Sequence, residues 1–284
     1  MRNSVTLAKI FGIEIRVDLS WMLAFGVILW SLGSYYFPST YPELSTLDVW
    51  TLAIAATTFL FVSIAAHGLG HSLVSARFGL PVGTITIFIF GGLAQMTRES
   101  QRPRDEFFIA LAGPFVSLVL ALSFGALGLA GLNAVGLKLV AFGRWMGTAN
   151  LSLALFNLIP GFPLDGGRIF RSILWGFTGN FQRSTRIAAR LGQATALGLM
   201  GWGVLQFLDG KIANDLWITL IGWFLYGAAT NSLANLTLIE HFEGFTAQDI
   251  MISDCTFVSP SWTLDSFVRE MAPSTGGKFL CSYW

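Results

Sequence analysis

Two of the three histidines in this chain, His67 and His71, lie four positions apart in the apolar stretch IAAHGLGHSLVSARFG. On a helix, positions i and i+4 share one face, because four steps of about 100° nearly complete a turn. Two imidazoles on one face can hold a single metal ion, and ionisable side chains inside an apolar span are usually functional. The alternative is a pair of histidines that donate to helix carbonyls at the membrane interface. The spacing therefore predicts half of a metal site.

The strongest candidate for a third ligand is Asp165, in the segment NLIPGFPLDGGR. A catalytic zinc ion takes three protein ligands and keeps one position for water. A carboxylate at the centre of an apolar helix costs about 2.5–3.5 kcal/mol on insertion scales, and a metal partner would offset much of that cost. Pro160, Pro163 and the neighbouring glycines interrupt the helix, so the backbone can turn Asp165 inward. The alternative is an interfacial turn aspartate followed by a Gly-Gly cap.

The elements that carry these residues are expected to lie in a lipid bilayer. The 284 residues are 54% hydrophobic and 12% charged, with a mean hydropathy of +0.64, whereas soluble domains are about one-quarter charged. The fold class predicted is an all-α polytopic membrane protein with about six transmembrane helices, because a span needs about 20 mostly apolar residues. The expected spans are 19–37, 49–75, 106–131, 137–159, 190–208 and 214–237. The piece RIFRSILWGF is too short to cross and is placed at the membrane interface.

The distribution of basic residues predicts the orientation, because Lys and Arg are enriched in cytoplasmic loops. Basic residues cluster before the first span, after the second, and between the fourth and fifth, while the other connections carry few. Six crossings with both termini in the cytoplasm satisfy this asymmetry. No small-residue cleavage site follows the first apolar run, so that run is expected to be a retained anchor. The net charge of +1 gives no indication of a nucleic-acid partner.

Residues 80–96, LPVGTITIFIFGGLAQM, have a pattern unlike that of the neighbouring spans. The run TITIFIF is β-branched and aromatic, and it is flanked by Gly83, Gly91 and Gly92, which predicts a strand or hairpin. Backbone that is not helical is tolerated at membrane depth only where protein or a water-filled cavity covers it. This segment is therefore expected to line a site near the cytoplasmic face. The alternative is a soluble cytoplasmic hairpin.

Together these motifs resemble the site-2 protease family of intramembrane zinc metalloproteases, over roughly residues 1–240. That family has a His-Glu-x-x-His motif on one transmembrane helix and an Asn-x-x-Pro-x-x-Pro-x-Asp-Gly-Gly motif on a later one. The second motif is present here from Asn157 to Gly167. The resemblance implies one Zn²⁺ per chain held by His67, His71 and Asp165, with Asn157 near the bound substrate.

The resemblance also assigns a role to the predicted strand. The part around Phe90, Gly91 and Gly92 is similar to the family's segment that pairs with an unwound substrate helix. An exposed strand edge can hold a peptide in an extended form by strand addition. The implied activity is hydrolysis of peptide bonds within transmembrane segments of membrane-anchored regulatory proteins. The implied location is the cell membrane of a prokaryote.

The chain departs from the family pattern at Gly68, where the family has a glutamate that acts as general base. No carboxylate replaces it locally, and Glu99 and Asp105 lie in the basic connection after the second span. General acid–base assistance is worth about 10²–10⁴-fold in rate, so zinc binding is expected to persist while hydrolysis is nearly abolished. Two explanations for Gly68 are open. One is an inactivating substitution, which the otherwise intact motifs favour, and the other is a natural pseudoprotease that binds transmembrane helices without cutting them.

Two other classes of protein are compatible with a metal site in a membrane. One is a metal-binding scaffold without enzymatic activity, which would stay inactive after a glutamate is restored at position 68. The other is a transporter with a metal site at the midplane, since broken helices with buried Asp and His also mark ion pathways. A transporter of that kind predicts an internal repeat, and HGLGH has no counterpart in the second half of the chain.

Residues 241–284 are expected to form a second unit beside a transmembrane core at 1–240. The stretch TAQDIMISDCTFVSPSWTLDSFVREM resembles the opening of a CBS domain, with a helix expected at 263–271. CBS domains commonly occur in tandem and bind adenosyl nucleotides, so a complete pair would imply nucleotide-regulated proteolysis. About 40 residues are too few for a small domain to build its own core. The segment is therefore expected to be a truncated α/β CBS-like piece, and the alternative is an amphipathic cytoplasmic appendage.

Overall fold

The computed structural model describes residues 4–80, 82–88, 91–96, 100–134, 136–208, 212–242, 256–258, 263, 265 and 280–282. The chain divides into two compact units, Met1–Leu236 and Thr237–Trp284. The first unit is mostly helical, with one small sheet, and it contains every residue predicted to bind metal.

A helix forms at each of the six predicted spans. Helix α1 (Ser20–Ser31) continues through a π-helical turn (Leu32–Tyr36) into α2 (Phe37–Thr40). The remaining helices are α3 (Thr46–Arg77), α4 (Pro103–Ala134), α5 (Leu137–Asn157), α6 (Asp165–Thr178), α7 (Phe181–Leu208) and α8 (Ile212–Phe242). Helix α6 contains the piece that was predicted to be too short to span.

Within the described residues, three helical stretches are long and apolar enough to cross a membrane: Ser20–Thr40, Thr46–Arg77 and Pro103–Gly131. They coincide with the first three predicted spans. The prediction of a mostly helical membrane protein is confirmed at this level, and the crossing of the three later helices stays a prediction.

The predicted hairpin at residues 80–96 is confirmed as two antiparallel strands, but it belongs to a larger sheet. Strands β1 (Ser4–Ile10), β2 (Ile13–Asp18), β3 (Val82–Phe88) and β4 (Gly91–Met96) lie in the order β1-β2-β3-β4. The pair β2–β3 is parallel, with Ile15 opposite Ile85. Strands β1 and β2 were not predicted, because residues 4–18 were considered only for the basic residues that they place before the first span. The strand β2 shows the alternation that could have revealed it, because Ile13 and Ile15 are buried while the residues between and after them are less so.

Small residues allow α4 to pack closely against its neighbours α3 and α5. A Cβ atom on Gly70 of α3 would lie 3.0 Å from the carbonyl oxygen of Ala112, and one on Gly147 of α5 would lie 3.1 Å from the backbone nitrogen of Gly125. Close backbone approach at small residues is a common basis of helix association in membranes. As a result, α4 lies directly against the segment of α3 that carries the two histidines.

The C-terminal unit contains strands β5 (Thr256–Val258) and β6 (Leu280–Ser282), which pair in parallel. Most of the helix predicted at 263–271 lies outside the described residues. The CBS-like segment and the domain boundary at residue 240 therefore stay predictions.

Candidate metal centre

The structure brings His67, His71 and Asp165 together, although Asp165 is 94 positions from His71 in the chain. Asp165 Oδ2 lies 3.1 Å from His67 Nε2 and 3.2 Å from His71 Nε2, and the two Nε2 atoms are 3.1 Å apart. The three side chains are 8–14% exposed. Ligand atoms placed tetrahedrally at about 2.0–2.1 Å from zinc lie about 3.3–3.4 Å from one another. The three atoms are therefore close to the arrangement that a zinc ion requires.

The hydrogen bonds at the far side of each ring make the same three atoms a suitable donor set for a cation. His71 Nδ1 lies 2.7 Å from the carbonyl oxygen of Ile109, and His67 Nδ1 lies 2.8 Å from Oγ of Ser117. A carbonyl oxygen only accepts, so His71 carries a proton on Nδ1 and, as a neutral imidazole, presents a lone pair at Nε2. With both rings in this form, two nitrogen lone pairs and a carboxylate oxygen converge, and none of the three atoms carries a hydrogen that it could donate to the others. A bound cation satisfies all three.

Helix α3 places both histidines on one face near its C-terminal end. Their ring centroids are 4.9 Å apart, as expected for positions i and i+4. The helix begins with a side-chain cap, since Ser45 Oγ accepts from the backbone N–H of Asp48, and it ends at Arg77. Half of the candidate site is thus the product of one continuous apolar helix.

Asp165 is the first residue of α6, and glycines behind it allow the preceding loop to lie on the first turn of the helix. A Cβ atom on Gly166 would collide with the carbonyl oxygens of Leu158 and Ile159. A Cβ atom on Gly167 would likewise collide with the backbone of the loop at residues 161–162. The Asp-Gly-Gly sequence is therefore needed for close backbone packing, which directs the carboxylate toward α3.

A buried ion pair that the sequence analysis missed joins α4 to α6. Arg171 Nε donates to Oε1 of Glu106 at 2.9 Å, its Nη2 contacts the same oxygen, and Glu106 is 1% exposed. The guanidinium group lies between the rings of Phe162 and Phe181, at 4.9 and 4.6 Å from their centroids. From the sequence, only Glu99 and Asp105 were considered as carboxylates near position 68. Glu106 differs from the adjacent Asp105 in its burial, which the sequence does not show. The pair links α4, which contacts both histidine rings, to α6, which carries Asp165.

Position 68 lies between the histidine helix and strand β3. A Cβ atom on the buried Gly68 would lie 3.3 Å from Cγ2 and 3.7 Å from Cδ1 of Ile85. Among the residues that the structure describes, the cluster contains no fourth His, Cys, Asp or Glu. Within those residues, nothing in the cluster stands in for the family's glutamate.

Of the residues predicted to contact substrate, those that the structure describes belong to two separate elements, helix α5 and strand β4. Asn157 lies in the last turn of α5, where its Nδ2 donates to the carbonyl of Leu153 at 2.9 Å; none of the hydrogen bonds found among the described residues joins it to the cluster. Gly91 and Gly92 begin β4 and pair with Phe88 and Ile87 of β3. Phe90 lies outside the described residues.

Comparison with known proteins shows which family shares these features. The sequence profile of peptidase family M50 matches residues 55–133 and 125–199. The relative sll0528 from Synechocystis, designated a zinc metalloprotease, is 38% identical over 276 residues, which cover 95% of this chain and 70% of the relative. Zinc metalloprotease MJ0392 from Methanocaldococcus jannaschii is 30% identical over 272 residues, covering 95% and 73%.

A solved structure agrees with these sequence relatives. The site-2 protease from Methanocaldococcus jannaschii is 30% identical and has a TM-score of 0.55, and the match covers 81% of this chain and 95% of that chain. The stretch matched by the family profile includes both histidines of α3 and Asp165 of α6. The chain therefore belongs to peptidase family M50, the family of the site-2 proteases.

Proposed function

We propose that this chain is a zinc metalloprotease scaffold of the site-2 type, in which His67, His71 and Asp165 hold one Zn²⁺. The observation that carries this proposal is the convergence of two imidazole nitrogens and one carboxylate oxygen within 3.1–3.2 Å of one another. Zinc in such a site polarises a scissile carbonyl and lowers the pKa of its bound water toward about 7. The three side chains that would hold the ion are only 8–14% exposed.

The proposed substrate is a transmembrane segment of a membrane-anchored regulatory protein. Helix unwinding is needed before a peptide bond in such a segment can be cut, because a helical peptide bond is protected by its own hydrogen bonds. Strand β4 is at the edge of the sheet order β1-β2-β3-β4, and a strand edge can hold an added peptide through main-chain hydrogen bonds. This supports the glycine-rich start of β4, at Gly91 and Gly92, as the place where substrate pairs; Asn157 and Phe90 are proposed as further substrate contacts from the family resemblance alone.

The proposed setting is a prokaryotic cell membrane, crossed six times with both termini in the cytoplasm. The three stretches that qualify by length and composition support the first half of this arrangement. The CBS-like resemblance of residues 241–284 supports a further proposal, that adenosyl nucleotides bind where such domains form a complete pair.

We further propose that this chain binds zinc and substrate but hardly hydrolyses peptide bonds. The support for this is Gly68, since a general base typically contributes about 10²–10⁴-fold to rate and no fourth His, Cys, Asp or Glu joins the cluster among the described residues. An inactivating substitution and a natural pseudoprotease make the same prediction for the chain as it stands.

The metal content of the purified protein tests the ligand set. About one zinc per chain is expected for the unchanged protein. The control variant Glu43→Ala, which removes an exposed carboxylate before α3, is expected to bind the same amount. His67→Ala and Asp165→Ala are each expected to lose most of the bound zinc, measured by elemental analysis after dialysis. Equal zinc content in all four proteins would overturn the proposed ligand set.

Restoring the general base tests the protease proposal. The change Gly68→Glu is expected to raise the cleavage rate of a single-span substrate in detergent by about 10²–10⁴-fold. The first atom of the new side chain has room if the Ile85 methyl group moves by a few tenths of an ångström. The variant Gly68→Glu combined with His67→Ala should stay inactive. A zinc-loaded Gly68→Glu protein without activity would instead support a non-cleaving pseudoprotease, scaffold or transporter.

A further inference from the structure

We infer that helix α4 is the positioning element of the metal site, with Ser117 and the Ile109 carbonyl each orienting one histidine and Gly113 keeping the space beside the ligand atoms open. The inference rests on the proposed ligand set and goes beyond it, because it concerns residues that do not touch the metal. It assigns one helix the task of fixing the direction of both imidazole rings.

The spacing of the three α4 residues matches the spacing of the two histidines. Ile109, Gly113 and Ser117 are four positions apart, so they form one stripe along α4. Ile109 contacts the ring of His71, and Ser117 contacts the ring of His67. The later residue of α4 thus meets the earlier residue of α3, and Gly113 lies opposite the point midway between the two rings.

The contact at the Ile109 end of the stripe selects the metal-binding form of its imidazole, and the contact at the Ser117 end is compatible with the same form. Ser117 is fully buried, and its Oγ lies 2.8 Å from His67 Nδ1. When Oγ accepts from Nδ1–H, the lone pair of His67 is at Nε2, on the side of Asp165. The Ile109 carbonyl enforces the same form on His71. Loss of such an outer partner of a metal-bound histidine typically weakens metal binding about 10–100-fold.

Gly113 contributes by having no side chain. A Cβ atom at this position would lie 2.6 Å from His67 Nε2 and would also collide with Nε2 of His71. These are the two atoms proposed to bind zinc, so any side chain at 113 would displace them or occupy the space beside them. The requirement is local, because a Cβ atom on Gly125 of the same helix would meet nothing within 4 Å.

Zinc affinity of the full-length chain in detergent, measured by competition with a chromophoric chelator, tests the orienting role of Ser117. Ser117→Ala is expected to bind zinc about 10–100-fold more weakly than the unchanged protein. Ser117→Thr keeps the hydroxyl group and is expected to bind within a few-fold of the unchanged protein. The matched control is Ser123→Ala, which removes from the same helix an exposed hydroxyl that donates to the Val119 carbonyl, and it should have no effect.

Gly113→Ala tests the space-keeping role, with Gly125→Ala as its control. The first is expected to lose most of its zinc and the second to bind as the unchanged protein does. The increase in unfolding temperature on adding zinc provides a second readout, because a ligand that binds only the folded state stabilises it more at a given concentration when it binds more tightly. That increase should be small for Gly113→Ala and unchanged for Gly125→Ala.

The outcomes separate this inference from the proposed ligand set. If His67→Ala loses zinc while Ser117→Ala and Gly113→Ala bind it normally, the role of α4 is wrong and the ligand set stands. If Ser117→Ala and Ser123→Ala weaken binding equally, the orienting role is also wrong. If the unchanged protein and His67→Ala bind zinc equally, the ligand set itself fails and the role of α4 fails with it.

Discussion

At the scale of single residues, glycines near the metal centre have two different consequences. At Gly68 the nearest atom to a new Cβ is a side-chain methyl carbon of Ile85 at 3.3 Å, which can move. At Gly166 the nearest atoms are backbone carbonyl oxygens of Leu158 and Ile159, which cannot move without the loop. The packing around position 68 therefore does not require glycine, whereas the packing around position 166 does.

Gly166→Ala is expected to lower both the zinc content and the unfolding temperature, because the new methyl group would push the loop away from the first turn of α6 and displace Asp165. Gly176→Ala in the same helix is the matched control, since its Cβ would lie 3.9 Å from the nearest atom, in Pro103. That control is expected to raise stability by up to about 1 kcal/mol. Normal zinc binding and stability in Gly166→Ala would contradict this account of the motif.

At the scale of elements, the site is assembled where α3, α4 and α6 meet, and each helix has a separate contribution. Helix α3 supplies the two histidines, α6 supplies Asp165, and α4 contacts both histidine rings. The Glu106–Arg171 pair then links α4 to α6 inside the protein. Burying a charged pair costs desolvation free energy, so this pair is a specific link between α4 and α6 and need not add net stability.

Arg171→Met is expected to destabilise the protein, because it leaves the Glu106 carboxylate buried without its partner. Removing one member of a buried pair typically costs about 3–5 kcal/mol, and the lower end is expected since Arg168 Nε lies 3.8 Å from the same carboxylate oxygen. The double change Glu106→Leu with Arg171→Met should recover most of the loss. Unfolding midpoints in detergent measure the stability of the single and the double variant, and Arg183→Met, at an exposed position, is the control. Equal losses of stability in the single and double variants would contradict the expected cost of an unpaired buried Glu106.

At the scale of the whole molecule, the transmembrane unit combines an apolar helical body with a small sheet at its N-terminal part. The sheet joins residues 4–18 to the strands that follow α3, through the parallel pair β2–β3. Ile85 of β3 is fully buried and lies against Gly68, so the sheet approaches the histidine helix directly. The proposed substrate-binding edge and the proposed metal centre are therefore built on adjoining elements.

The proposed orientation predicts which positions react with a membrane-impermeant maleimide in intact cells. After Cys255 and Cys281 are changed to Ser, a cysteine at the exposed Glu43, in the turn between α2 and α3, should be labelled from outside. A cysteine at the exposed Gln101, in the basic connection before α4, should be labelled only after the membrane is permeabilised. The reverse pattern would mean that the termini are on the outer side.

The sequence by itself was sufficient to locate the helices, the hairpin and the two histidines on one face of α3. Each of these follows from residues close together in the chain, through apolar length, β-branched alternation and the i, i+4 spacing. The interrupted helix around Pro160 and Pro163 indicated Asp165 as the third ligand, and family resemblance identified Gly68 as the departure. These predictions required no knowledge of which helices touch.

Only the tertiary structure decided how the centre is assembled. The contacts His67–Asp165, His71–Ile109 and Arg171–Glu106 join residues 98, 38 and 65 positions apart. Such contacts depend on which faces of packed helices meet, and residue type alone does not show which faces these are. In the sequence, nothing distinguishes Ser117 from other serines in apolar helices. For the same reason Glu106, beside Asp105 in the sequence, became distinct only once its burial against α6 was known.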